Sequence, residues 1–135
     1  KNATAQEKIL IAELLLSADE PTLATSLLEP LRESISDEDV LTPKCLRLLA
    51  VSLFGSGMID EGASISRKVL RFDPNCIASI HNLALAAVKN DRYHSAWGWV
   101  RRGLAVDPYD NDLRRLRSRL IWEGMAQYVK KIFVR

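Results

Sequence analysis

Few side chains in this 135-residue sequence are able to do chemistry: two histidines, two cysteines, three tryptophans and the arginine-rich stretch "LRRLRSRL" at residues 113–120. A histidine acts as a general base or metal ligand when a second ligand or an orienting carboxylate stands at a fixed spacing from it. His81 and His94 lack such a partner, and no His/Cys cluster has metal-ligand spacing. Cys76 falls at the start of an expected helix, where a thiolate is favoured, but no base lies near it in sequence. Cys45 and Cys76 cannot make a disulfide framework and read as buried thiols. With no paired carboxylates, phosphate loop or triad spacing, the chain is expected to be non-catalytic, without metal or cofactor.

The arginines carry a second chemistry, pairing with carboxylates or phosphates. From Asn111 onward seven basic residues face two acidic ones, so that segment is +5 while the preceding 110 residues are −3. The overall charge of +2 is too small to argue for a nucleic-acid or membrane partner. Contact of Arg114, Arg115, Arg117 and Arg119 with nucleic-acid phosphates is a minor alternative, since no aromatic residues interleave them. No apolar run is long enough for a transmembrane helix, so no membrane insertion is expected. The sequence opens on Lys1 without a Met, which suits a fragment or processed chain, and a soluble, cytoplasmic protein is the expectation.

Positioning falls to an internal repeat. Asp73-Pro74 and Asp107-Pro108 lie 34 residues apart, and superposing them aligns "GMIDEGASISRKVLRFDP" (57–74) with "DRYHSAWGWVRRGLAVDP" (91–108) without a gap. The alignment pairs Leu46 with Ile80, Leu49 with Leu83 and Ala50 with Ala84, each set spaced as one helical face. Two helices per unit follow. Thr42-Pro43 is expected to cap and open a first helix, and Gly55-Ser56-Gly57 and Asn90-Asp91 to form the turns. Gly62, Ala96 and Gly103 are expected where the second helix presses on the first, with Asp60, Glu61, Arg67, Lys68, Arg71, His94, Arg101 and Arg102 on its solvated side. Asp-Pro ends each unit, because Pro cannot continue the helix and biases the preceding residue away from helical angles. An upstream copy places Ala12 over Ala50, Leu15 over Leu53 and Ala24 over Gly62 once "SISDEDVLT" is treated as an acidic insertion. There, Pro30 is expected to kink the second helix.

The small Ala84, the Asn90-Asp91-x-Tyr93-x-x-Ala96 turn, Gly103-Leu104 and Asp107-Pro108 resemble a tetratricopeptide repeat of 34 residues, with residues 43–76 a more degenerate copy. The pentatricopeptide family, which reads RNA, has a similar hairpin, but the Asp-Pro and Tyr/Ala signals favour the tetratricopeptide family. The expectation is one all-α domain over 1–135: a right-handed superhelix of three hairpins, at about 5–38, 43–76 and 77–110, and a C-terminal capping helix over 111–135. That helix either runs long or breaks at Gly124.

The resemblance implies a protein-interaction scaffold whose first helices line a concave groove for a peptide or partner helix. By repeat phase, Glu13, Arg47, Val51, His81, Asn82, Leu85, Lys89, Arg115 and Arg119 line or rim it, with Trp122 beside it as an aromatic contact. Trp99 matches Ile65 and reads as packing between hairpins. Some relatives hold a chaperone's C-terminal carboxylate in a clamp. Arg47 and Asn82 fit that pattern, but Val51, Asp112 and Leu116 depart from it, so chaperone-tail binding is not expected. An acidic peptide remains a fitting partner for Arg47, Arg115 and Arg119. The alternative is self-association through the apolar stripe of Ile121, Tyr128, Val129, Ile132 and Phe133.

Overall fold

In the computed structural model, which describes residues 3–133, three helical hairpins are followed by one long helix. The hairpins pair α1 (Ala5–Ser17) with α2 (Pro21–Ser34), α3 (Thr42–Gly55) with α4 (Ile59–Phe72), and α5 (Ile77–Lys89) with α6 (Tyr93–Val106). The last helix is α7 (Asn111–Phe133). The helices stack as a right-handed superhelix, and among the described residues there is no strand. Residues 134 and 135, to which the C-terminal helix was expected to run, lie outside the described residues.

No hairpin owns a core of its own. Ile9 and Ala12 of α1 pack with Leu28 and Leu31 of α2 and with Cys45, Leu49 and Leu53 of α3. The other side of α3, through Leu46, joins Val69 and Leu70 of α4 and Ile80 and Leu83 of α5. Ala84 and Val88 of α5 then join Ala96 and Val100 of α6 and Leu113, Leu116 and Leu120 of α7. Each cluster thus spans one hairpin and the first helix of the next. Burial is shared between neighbours, and that sharing is what drives the stack.

Local chemistry repeats with the same period. Asp73 and Asp107 leave their helices with φ −137° in both cases and ψ of 91° and 97°. Their Oδ1 atoms accept from the backbone N–H of Asn75 and Tyr109 at 3.2 and 3.0 Å, so the carboxylate holds the turn that Pro opens. Within the hairpins, the left-handed backbone position falls on Asp19, Gly57 and Asp91, with φ of 58°, 81° and 57°. These three occupy one place in the repeat, at residue types that tolerate a positive φ. Gly62, Ala96 and Gly103 are buried between helices, as expected.

One local expectation needs correction. Thr42 does not cap α3. The cap position is Leu41, and Thr42 is the first helical residue, buried, with Oγ1 donating to the Ser36 carbonyl at 2.6 Å. The acidic connector curls back far enough to take that hydrogen bond, assisted by Leu41 N–H donating to Asp39 Oδ1 at 2.9 Å. Separately, α2 runs on through Pro30 to Ser34 as one helix, so Pro30 does not end it. Pro30 is exposed, where water can satisfy the carbonyl that loses its partner. Arg102 is exposed, as expected, and also makes two contacts. It lies over the Trp99 ring at 5.4 Å from the centroid and donates to the Pro74 carbonyl at 3.0 Å, tying α6 to the preceding Asp-Pro loop.

α7 remains unbroken through Gly124. Asp110 opens it, Oδ2 accepting from Leu113 N–H at 2.9 Å. Leu113, Leu116 and Leu120 face inward, while the large side chains beyond Leu120 are exposed. Among the described residues no helix is long and apolar enough to cross a membrane.

Candidate functional site

The residues that could support catalysis do not assemble. His81 is half-buried in α5, whereas His94 is exposed on the first turn of α6. Both thiols are buried and unpaired. Burial pushes the Cys45 thiol above its ordinary value, opposed in part by the Arg32 guanidinium, and so keeps it protonated at neutral pH. No group of three or more His, Cys, Asp or Glu among the described residues can hold a metal.

The first helices bring other residues together. His81 and Leu85 of α5 line a shallow groove of about 220 Å³ with Asp112, Arg115, Leu116 and Arg119 of α7. Four of the residues singled out by repeat phase, namely His81, Leu85, Arg115 and Arg119, therefore share one surface. The 34-residue period sets Arg47 in one row with His81 and Arg115, and Val51 in another with Leu85 and Arg119, although neither α3 residue is in the groove's lining. Arg47 and Val51 are exposed on α3. Asn82 is half-buried one residue off the first row, and Lys89 is exposed at the end of α5.

Two of the cations are partly engaged. Arg119 Nε sits 3.0 Å from Glu123 Oε1, one helical turn on, and Arg115 reaches Asp112 at a loose 3.9 Å. Exposed pairs of this kind contribute little, so either guanidinium can exchange its partner for a ligand carboxylate at small cost. Arg47 has no ion-pair partner among the described residues. Elsewhere, Glu13 pairs with Lys44 of α3 at 2.7 Å, which ties α1 to α3.

Leu116 occupies the place of a clamp cation but is buried, so no carboxylate can be met there. Trp122 is exposed one turn beyond Arg119, outside the groove lining proper. The four arginines of residues 114–119 do not form one stripe. At 100° per residue, Arg115 and Arg119 fall on the groove side of α7, while Arg114 and Arg117 fall on its opposite flank.

Larger crevices open elsewhere, about 450 Å³ lined from α2, α3 and α4 and about 360 Å³ lined from α4, α5 and α6. They recur wherever one hairpin meets the next, and Asp60 and Asn90 already bond to each other at 3.0 Å in the second. They are seams of the stack. The groove differs in being lined only from first helices of the stack, α5 and α7.

No family model and no curated protein matches the sequence. Solved structures do. The myosin chaperone UNC-45 from C. elegans, in complex with a Hsp90 peptide, superposes with a TM-score of 0.82 over 90% of this chain at 20% identity. YrrB, described as a TPR protein with an unusual peptide-binding site, gives 0.76 over 87% at 15% identity. The fold is that of tetratricopeptide-repeat (TPR) proteins. The C-terminal TPR-containing domain of an FK506-binding protein from Plasmodium falciparum agrees in extent as well, with a TM-score of 0.73 and 15% identity over 96% of this chain and 97% of that one. The chain spans 14% of the length of the UNC-45 chain and 58% of YrrB.

The rows that sequence phase picked out lie on the first helices of the stack. Sequence reasoning missed the Arg102–Trp99–Pro74 bridge and the Glu13–Lys44 pair. Each joins residues about 30 apart, 28 and 31 positions respectively, and the only signal available was opposite charge, or cation and ring, near one repeat length.

Proposed function

We propose that this protein is a non-catalytic interaction module that grips an extended acidic peptide, or a partner helix with an acidic edge, in the groove formed by α3, α5 and α7. The observation that carries this reading is the pair of rows at one period: Arg47 and Arg115 offer charge and His81 a polar ring between them, while Val51 and Leu85 offer apolar anchors beside them. A preformed surface on rigid helices saves most of the ordering cost that a flexible loop would incur on binding. The planar guanidinium forks of Arg47, Arg115 and Arg119 suit carboxylates and set the ligand's orientation. Asn82 and Lys89 supply polar contacts at the rim, and Trp122 a flat apolar one. Peptide recognition by the two structurally similar proteins described as binding peptides, UNC-45 and YrrB, supports the same use of this fold.

The test is a panel of labelled peptides of equal length, acidic, neutral and basic, titrated by fluorescence anisotropy against wild type and the Arg47→Glu/Arg115→Glu/Arg119→Glu variant. Acidic peptides are expected to bind best. Loss of three exposed charge pairs, each about 0.2–1 kcal/mol, together with the added repulsion, weakens binding by about tenfold or more. Equal affinities for wild type and variant would contradict the proposal.

A further inference from the structure

One repeat period maps Ala84, Ala87 and Val88 of α5 onto Ser118, Ile121 and Trp122 of α7. On α5 the three are 0%, 8% and 5% exposed, packed in one cluster with Ala96 and Val100 of α6. On α7 no described residue takes the part of α6, and Ile121 and Trp122 are 46% and 71% exposed, followed along the helix by Met125. The first hairpin shows the mirror situation. Ile11 is the counterpart of Leu49 and Leu83, which are 3% and 2% exposed against the preceding hairpin, yet Ile11 is 43% exposed between the exposed Leu10 and Leu14. Among the described residues, both ends of the stack therefore present a stacking face whose apolar side chains are exposed.

The two faces match in pattern and oppose in charge. Each carries three large apolar residues at i, i+1 and i+4: Leu10, Ile11 and Leu14 in α1, and Ile121, Trp122 and Met125 in α7. One turn before its trio, α1 carries Glu7 and α7 carries Arg117, with Arg114 nearby. The wider charge follows suit. Residues 1–40 hold nine acidic and three basic side chains, net −6, against the +5 of residues 111–135. Two α7 helices brought together would oppose like charges, whereas an end-to-end contact joins opposite ones.

We propose that copies of this chain associate head to tail, α1 of one copy lying on the bare face of α7 of the next. The two faces are different surfaces, so the contact is heterologous. Each added copy leaves a fresh α7 face, and the product is an open chain of copies rather than a closed dimer. The groove rows take no part in the contact; of the residues proposed to meet the peptide, only Trp122 lies on the face that the next copy would cover.

Light scattering and sedimentation between about 1 μM and 1 mM test this. The mass of wild type is expected to climb past the dimer as concentration rises. Leu14→Glu blocks one end and Met125→Glu the other, so each variant alone stays monomeric. Their equimolar mixture forms a one-to-one dimer and stops there, because each copy retains one working end. Wild type at single-chain mass throughout overturns the proposal. So does a Leu14→Glu variant that associates as wild type does, which marks pairing of α7 with α7, or a mixture that stays monomeric while wild type assembles. All substituted positions are exposed, and helicity by circular dichroism checks folding. Leu10→Gln and Ile121→Gln replace any glutamate variant that loses it.

Discussion

Gly103 of α6 lies so close to Leu113 of α7 that a Cβ added there would overlap the leucine Cδ1, and Ile80 Cγ2 stands 3.0 Å from the same point. Here the last hairpin meets the capping helix closely, and the approach depends on the missing side chain. Gly103→Ala is expected to destabilise by about 1–3 kcal/mol through overpacking. Gly98 sits in the same helix with nothing within 4 Å of its would-be Cβ, so Gly98→Ala is expected to stabilise by about 0.5–1 kcal/mol. Urea unfolding of the two variants reads both signs. Shifts in the same direction would contradict the seam.

Gly57 separates backbone strain from packing. Its φ is 81°, and no atom lies within 4 Å of a would-be Cβ. Gly57→Ala is therefore expected to cost about 1–2 kcal/mol purely through the left-handed conformation. Thermal unfolding checks this, and an unchanged midpoint would mean that the turn relaxes.

Ser66 is fully buried, and its Oγ has no hydrogen-bond partner among the described residues. A buried unpaired hydroxyl costs about 1–3 kcal/mol, and alanine nearly keeps the volume. Ser66→Ala should raise the urea midpoint. A fall of 1 kcal/mol or more would show that the hydroxyl is in fact bonded.

Cys45 sets a pH expectation. Burial raises its thiol above the ordinary 9.0, so the folded state resists ionisation more than the unfolded chain does. The stabilisation is complete below pH 9 and is lost as pH rises through the folded value. Tyr93 acts in the same sense, raised by desolvation and by the Glu123 and Asp91 carboxylates. Unfolding free energy should be flat near neutrality and fall on the alkaline side. Native Cys45 should also react slowly with iodoacetamide at pH 7.5 and rapidly once unfolded. Equal rates would mean that the thiol is not enclosed.

The hairpins were legible in the sequence because period, punctuation and burial pattern are all local or recur at one spacing. Asp73 and Asp107 announce their turns by residue type, and Leu46 and Ile80 by helical phase. The same period singled out His81, Leu85, Arg115 and Arg119, which share one shallow groove, and extends the proposed rows to Arg47 and Val51, which are not in its lining. Thr42 was misread because its hydroxyl is bound by a carbonyl of the irregular connector, which has no period to read. The bare face of α7 was partly visible as an apolar stripe. Its match to α1 emerged only from comparing the burial of Ile11 with that of Leu49 and Leu83, which composition and spacing cannot supply.

Backbone chemical-shift mapping with an acidic peptide tests the central claim most directly, because it reports where the ligand sits. The account predicts shifts concentrated on α3, α5 and α7, at Arg47, Val51, His81, Leu85, Arg115 and Arg119, and their loss in the triple arginine variant. Shifts confined to α2, α4 and α6 would contradict it.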